Sequence, residues 1–235
     1  MSKKRRSVDN EYGPPPKVLD DFPFFGLELT DPEQIVYKNA LWDPEKRFIA
    51  VDACAGSGKT TIAVAIAYLS IMHDIYDGAY YIRTPSSEGR IGFLPGEQRS
   101  KERPYMQPLY SALCNIGVEP SVVINDDSFE SQKNGTGMFT TMTDVYMLGS
   151  DYKRKFIIID EAQCMTIEQL KAIITRAHDD CKVVCCGSTL QIQGIKPKDS
   201  GFVRCIEHFK EKEWAQICTL TKNYRGEMSA WADKM

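Results

Sequence analysis

At 235 residues, 43% hydrophobic and 26% charged, the chain is sized and composed for one α/β domain with a substantial buried core. A formal net charge of −3 excludes a generally basic nucleic-acid coat, so any such contact must be local. No apolar run approaches a membrane span, and the basic then polar N-terminus lacks the apolar segment of a secretory signal, so the expected location is the cytoplasm.

Residues 1–28 begin with Lys3-Lys4-Arg5-Arg6 and pass through Pro14-Pro15-Pro16, which reads as a mobile N-terminal arm ahead of a domain over 29–235. Asp31, or Thr30, is placed to cap a helix over 32–42 that starts with Pro32. Phe48-Ile49-Ala50-Val51 is a continuous apolar run, as expected for a strand buried on both faces of a parallel sheet. The helix expected from Lys59 to His73 is so densely apolar that it must be enclosed. Ala79–Ile82 makes a second strand, followed by a polar loop from Arg83 and a turn at Gly92-Phe93-Leu94-Pro95-Gly96. Tyr105–Asn115 has helical spacing, Val122–Ile124 reads as a short strand, 126–137 as a loop and Met138–Met142 as a weak strand. Phe156–Ile159 is a second central strand, ending in Asp160-Glu161, and Thr166 caps a helix expected to reach His178. Lys182–Cys186 is another buried strand; a helix over 201–209, a strand over 215–220 and a helix over 227–235 complete the chain. The alternation predicts a three-layer α-β-α fold around a mainly parallel sheet, with right-handed crossovers.

Ala53-Cys54-Ala55-Gly56-Ser57-Gly58-Lys59-Thr60-Thr61 sits between the first strand and the enclosed helix, as a phosphate-binding P-loop would. Its two glycines let successive N–H groups converge on an anion, so Ala55, Gly56, Ser57, Gly58, Lys59, Thr60 and Thr61 are the candidate triphosphate cradle. Lys59 would reach the terminal phosphates and Thr60 would hold Mg²⁺, although Ala53 stands where such loops usually begin with Gly. Asp160, at the tip of a buried strand, is suited to the metal, and Glu161 to preparing the attacking water. Gln191 could sense the terminal phosphate, and Arg225 could stabilise developing phosphoryl charge, with Arg176 a weaker candidate for that role. The Gln34 amide could read adenine, having both a donor and an acceptor, though a capping or solvated Gln fits its position equally well. Eight cysteines without a CxxC pair, and three histidines, complete no zinc ligand set, so the thiols read as reduced and mostly buried.

In order along the chain, these motifs resemble those of the PhoH-like ATPase family, whose core is similar to the first lobe of superfamily-one helicases. The match runs from the Gln34 segment through the P-loop, Arg83-Thr84-Pro85, Gly92–Gly96, Lys101, Pro104-Tyr105, Pro108-Leu109-Tyr110, Ile159–Gln163, Thr175-Arg176, Gly187 and Gln191. The compact length and the Asn223-Tyr224-Arg225-Gly226 ending resemble phage-type members. The chain departs from the family pattern at Cys164, Ser188, Ile192 and Leu148. The resemblance implies a RecA-like P-loop NTPase core that uses ATP and Mg²⁺, and gives Gln191 and Arg225 phosphate-side roles and Gln34 an adenine-reading role.

The resemblance further implies an ATPase coupled to RNA or single-stranded DNA, with the strand touching Thr84, Pro85, Ser86 and Phe93. A single lobe cannot step along a strand alone, so such work needs a partner or a homo-oligomer, with a hexameric ring the expected form. The alternative is a nucleotide-gated module that binds nucleic acid or a host protein with little turnover. A kinase is disfavoured because no general-base Asp follows the P-loop helix where one would be needed.

Overall fold

The computed structural model describes residues 13–19, 25–83, 103–125, 137–142 and 151–232. The expected loops at 84–102 and 126–136, with the strand-contacting candidates Thr84, Pro85, Ser86 and Phe93, lie outside the described residues.

Seven strands form one parallel sheet: β1 Phe48–Ala53, β2 Gly78–Arg83, β3 Ile124–Asn125, β4 Phe139–Met142, β5 Lys155–Asp160, β6 Lys182–Gly187 and β7 Ala215–Leu220. Their spatial order is β3-β4-β2-β5-β6-β1-β7. Continuous apolar runs suit this sheet because both faces are covered. Ile49 and Val51 of β1 join one buried cluster while Phe48 and Ala50 join the other. On the first face lie α1 Pro32–Trp42, α2 Lys59–Met72 and α3 Gln107–Asn115, which contribute Tyr37, Ile62, Ile66, Leu109 and Leu113. On the second lie α4 Ile167–Ile174 and α5 Gly201–Phe209, which contribute Leu170, Ile173 and Phe202. The expected three-layer architecture is the one found. Helix α2 has no polar face over Ala63–Ala67, all fully buried, so it is enclosed between α1, α3 and the sheet.

Local signals set several boundaries. Asp31 accepts a hydrogen bond from the Glu33 N–H at 2.8 Å ahead of Pro32, and Thr166 and Gln169 form a reciprocal capping box on α4. Three expectations are corrected. Pro120 opens a single helical turn, Pro120–Val123, so the strand expected at Val122 starts at Ile124. Helix α4 stops at Ile174 rather than His178, because Arg176 and His178 exchange backbone hydrogen bonds with Tyr152. Finally, residues 13–19 of the expected mobile arm lie on the body. The Pro16 carbonyl accepts from Trp42 Nε1 at 2.9 Å, the Leu19 carbonyl accepts from Lys38 Nζ at 3.2 Å, and Leu19, Phe25 and Leu27 pack on the first cluster. Poor core-forming composition does not prevent a segment from covering a core that others build.

A parallel sheet collects all strand C-termini at one edge. Because β6 lies between β1 and β5, the segments leaving β1 and β5 flank the tip of β6, and the candidate residues converge there.

Candidate functional site

The loop from β1 into α2 makes its turn at Gly56 (φ 68°) and Gly58 (φ 84°), both in the left-handed region that glycine enters without penalty. Ala53 lies inside β1, paired with Leu220, where no glycine conformation is needed, so its departure from the usual pattern has no conformational cost. Lys59 and Thr60 open α2, with their backbone at the positive end of an enclosed helix.

One side chain and one backbone crossing hold the loop from outside. Gln34 Nε2 donates to the Ser57 carbonyl at 2.9 Å, which uses one of its two N–H groups and leaves the other, with the amide oxygen, for further contacts. On the far side the chain leaving β7 folds across the loop, with the Tyr224 N–H donating to the Gly56 carbonyl at 3.0 Å. The Arg225 stem lies so close that a Cβ on Gly56 would come within 2.7 Å of Arg225 Cγ. Arg225 is thus brought to the P-loop of its own chain. Asn223 orders this crossing, accepting from the Arg225 N–H at 2.8 Å and donating to Ser229 Oγ at 2.9 Å in α6, Glu227–Ala232. The crossing is also fastened to α1. Glu33 accepts from the Thr221 N–H at 2.6 Å, and Tyr224 donates to Asp31 at 2.9 Å.

From β5 comes the acidic pair. Asp160, only 1% exposed, accepts from Thr60 Oγ1 at 3.2 Å across 100 residues of sequence, and on its other oxygen from the Tyr81 hydroxyl. Burial, reinforced by the adjacent carboxylate, pushes the Tyr81 hydroxyl well above its ordinary pKa, so it stays protonated and remains a donor. Thr60 and Asp160 together offer hard oxygen ligands beside a phosphate-type loop, a donor set that fits Mg²⁺. Ser57 Oγ also bears on the fit to an anion, being, among the described residues, the buried side-chain polar atom without a hydrogen-bond partner.

Glu161, the residue after β5, lies in the left-handed region, φ 53°, an unusual place for a residue with a side chain. Its carboxylate is held on one oxygen by Gln163 Nε2 at 2.6 Å and approached on the other by Arg83 at 3.9 Å. Gln191 leaves the tip of β6 and lines a recess of about 450 Å³ with Ala55 of the P-loop, Leu190, Ile192, Gln193 and Ser229. Arg176 does not join this group. Helix α4 carries the chain back along β5, so Arg176 lies beside Tyr152 at the opposite edge of the sheet.

Several contributors had no assigned role in the sequence. Asp52 accepts from Thr189 N at 2.8 Å and Thr189 Oγ1 at 2.7 Å, binding the end of β1 to the segment after β6. Arg83, opposite Asp160 in register, faces the acidic pair, and Gln163 joins β5 to that same segment. An acid ending the apolar run Ile49-Ala50-Val51, and an amide two residues after the Asp160-Glu161 pair, were the available signals. Among the described residues no three His, Cys, Asp or Glu side chains gather as a separate metal cluster, and no helix is long and apolar enough to cross a membrane.

Comparison with known proteins gives a family match. The family described as PhoH-like protein matches residues 27–232. The chain is similar to Protein PhoH2 of Bacillus subtilis, 27% identical over 221 residues, covering 92% of this chain and 49% of that protein. It is also similar to a PhoH-like protein of Mycobacterium tuberculosis, 30% identical over 187 residues with 75% and 51% covered, and to Protein PhoH of Escherichia coli, 28% identical over 193 residues with 80% and 51% covered. The chain thus spans about half the length of these relatives. Among solved structures, the helicase MrfA bound to DNA shares the fold at a TM-score of 0.50, with 11% identity over 89% of this chain and 28% of that one.

Proposed function

The chain belongs to the PhoH-like family, and from that premise we propose that it hydrolyses ATP with Mg²⁺ and couples hydrolysis to RNA or single-stranded DNA. The observation that carries the reading is the contact of Thr60 with Asp160 at 3.2 Å, which sets an acidic strand tip against the first turn after a P-loop. In this reading the N–H groups of Ala55–Thr61 and the Lys59 ammonium bind the triphosphate. Thr60 and Asp160 hold Mg²⁺, which when bound neutralises charge on the phosphates. Gln34 uses its remaining N–H and its oxygen on adenine. Glu161 accepts a proton from the water that attacks the γ-phosphorus, Gln191 orients that water, and ADP leaves with its new charge facing Lys59. Arg225, lying over Gly56 in the same chain, supplies positive charge in cis.

Strand work needs a second moving body, and we assign it to further copies of the chain in a ring, for which a hexamer is the expected form. Solution mass with and without ATP and RNA tests that assembly. The hydrolytic reading is tested by phosphate release with and without RNA. Glu161→Gln should lower turnover by roughly 10²- to 10⁴-fold while ATP binding persists. Absence of turnover from the unaltered chain under every condition would leave a nucleotide-gated binding module instead.

A further inference from the structure

Gln163 lies on the short 3-10 turn Ala162–Cys164 and is 1% exposed, yet every polar group it carries into the interior has a partner. Its Oε1 accepts from the Ser188 N–H at 3.2 Å, and its Nε2 donates to Glu161 Oε2 at 2.6 Å and to the Gln191 carbonyl at 3.3 Å. Its own carbonyl accepts from Ser200 Oγ at 2.9 Å. The amide orientation is determined by these neighbours. Rotated by half a turn, it would set its oxygen against a carboxylate and a carbonyl, and its NH₂ against an N–H, opposing all three contacts. Both ends of the 188–200 segment therefore close on one residue, whose remaining donor fixes the Glu161 carboxylate.

We propose that Gln163 is the positioning residue for Glu161, and that through it the placement of the 188–200 segment sets the orientation of that carboxylate. The proposal rests on the reading of Glu161 as the group that takes the water's proton. If the segment moves, the Ser188 and Gln191 contacts are lost together, the amide turns, and Glu161 loses the donor on Oε2. A buried amide with all its partners met is expensive to leave half-satisfied, so the network favours two discrete arrangements over a gradual drift.

The test uses the whole chain and two readouts. In the first, the side-chain amide signals of Gln163 are compared at one pH by ¹⁵N–¹H spectroscopy in the unaltered chain and in Glu161→Gln, where loss of the charged acceptor should move one of the two Nε2 proton signals. In the second, Gln163→Met keeps the length of the side chain but removes its donor and acceptor, so kcat should fall by about ten-fold while KM for ATP stays within about two-fold. Gln163 signals that are the same in both proteins, together with an unchanged kcat in Gln163→Met, overturn the proposal. A shifted amide signal in a chain that never turns over ATP upholds the Gln163–Glu161 link and sinks the hydrolytic reading instead.

Discussion

The two edges of the sheet are built from different chemistry. At the carboxyl edge, glycines, acids and amides from four strands and their following segments hold one another by hydrogen bonds, and many keep capacity for a ligand. At the amino edge, rings lie on rings. Phe48 stands 4.2 Å from Phe209, Phe209 5.6 Å from Trp214, and Arg47 covers the Trp214 face. The charged group buried deepest there, Lys182, donates to the Asp43 carbonyl at 2.7 Å and so closes the C-terminus of α1. One edge holds a recess of about 450 Å³ and the buried, unpartnered Ser57 hydroxyl, while the other is closed by packed rings. The difference predicts that turnover and stability can be damaged separately.

Lys59→Ala gives the largest separation. It should lower turnover by at least about 10³-fold, some 4 kcal/mol in the barrier, and leave the unfolding midpoint in denaturant almost unchanged. A Lys59→Ala chain hydrolysing ATP at the normal rate would remove the carboxyl edge from any account of activity. Phe48→Ala is the converse. Phe48 is 3% exposed, and losing it should cost about 3–4 kcal/mol of stability, read from denaturant unfolding, while ATPase activity per folded molecule holds within about two-fold. A loss of specific activity at unchanged stability would show that the amino edge reaches the site.

The smallest effect sharpens the comparison at neutral pH. Burial pulls the Lys182 ammonium down to about 7, opposed only in part by Asp43. Its folded pKa lies below the unfolded one of 10.5, so between those values the unfolded chain binds more protons and stability rises with pH. The cost of the buried charge is fully present below pH 7 and lifts above it. Relative to Lys182→Met, stability should therefore climb by on the order of 1 kcal/mol per pH unit above neutrality. Parallel curves for the two proteins would refute the assignment.

What the sequence made legible follows from range. The P-loop is local, its conformation set by Gly56 and Gly58 and its place by the apolar runs on either side. The central strands were legible because burial on both faces leaves continuous apolar runs, Phe48–Val51, Phe156–Ile159 and Val183–Cys186. The contact of Thr189 with Asp52 spans 137 residues and that of Gln163 with Ser188 spans 25, and no local pattern encodes such pairs. Arg176 lies away from the other candidates of its own chain for a related reason. Sequence proximity to Asp160 says nothing about an intervening helix that returns to the other edge, about 1.5 Å per residue. The early end of α4 and the turn at Pro120 depended on which backbone partner, Tyr152 in the first case, was in reach.

The conformation of Glu161 has an evolutionary consequence. A left-handed backbone costs a residue with a Cβ roughly 1 kcal/mol that glycine would not lose. Selection for stability alone would therefore favour glycine at position 161, and the carboxylate held by Gln163 and approached by Arg83 would vanish with it. A glutamate at φ 53° thus makes position 161 a place where a stability-guided redesign of this chain would remove a carboxylate first.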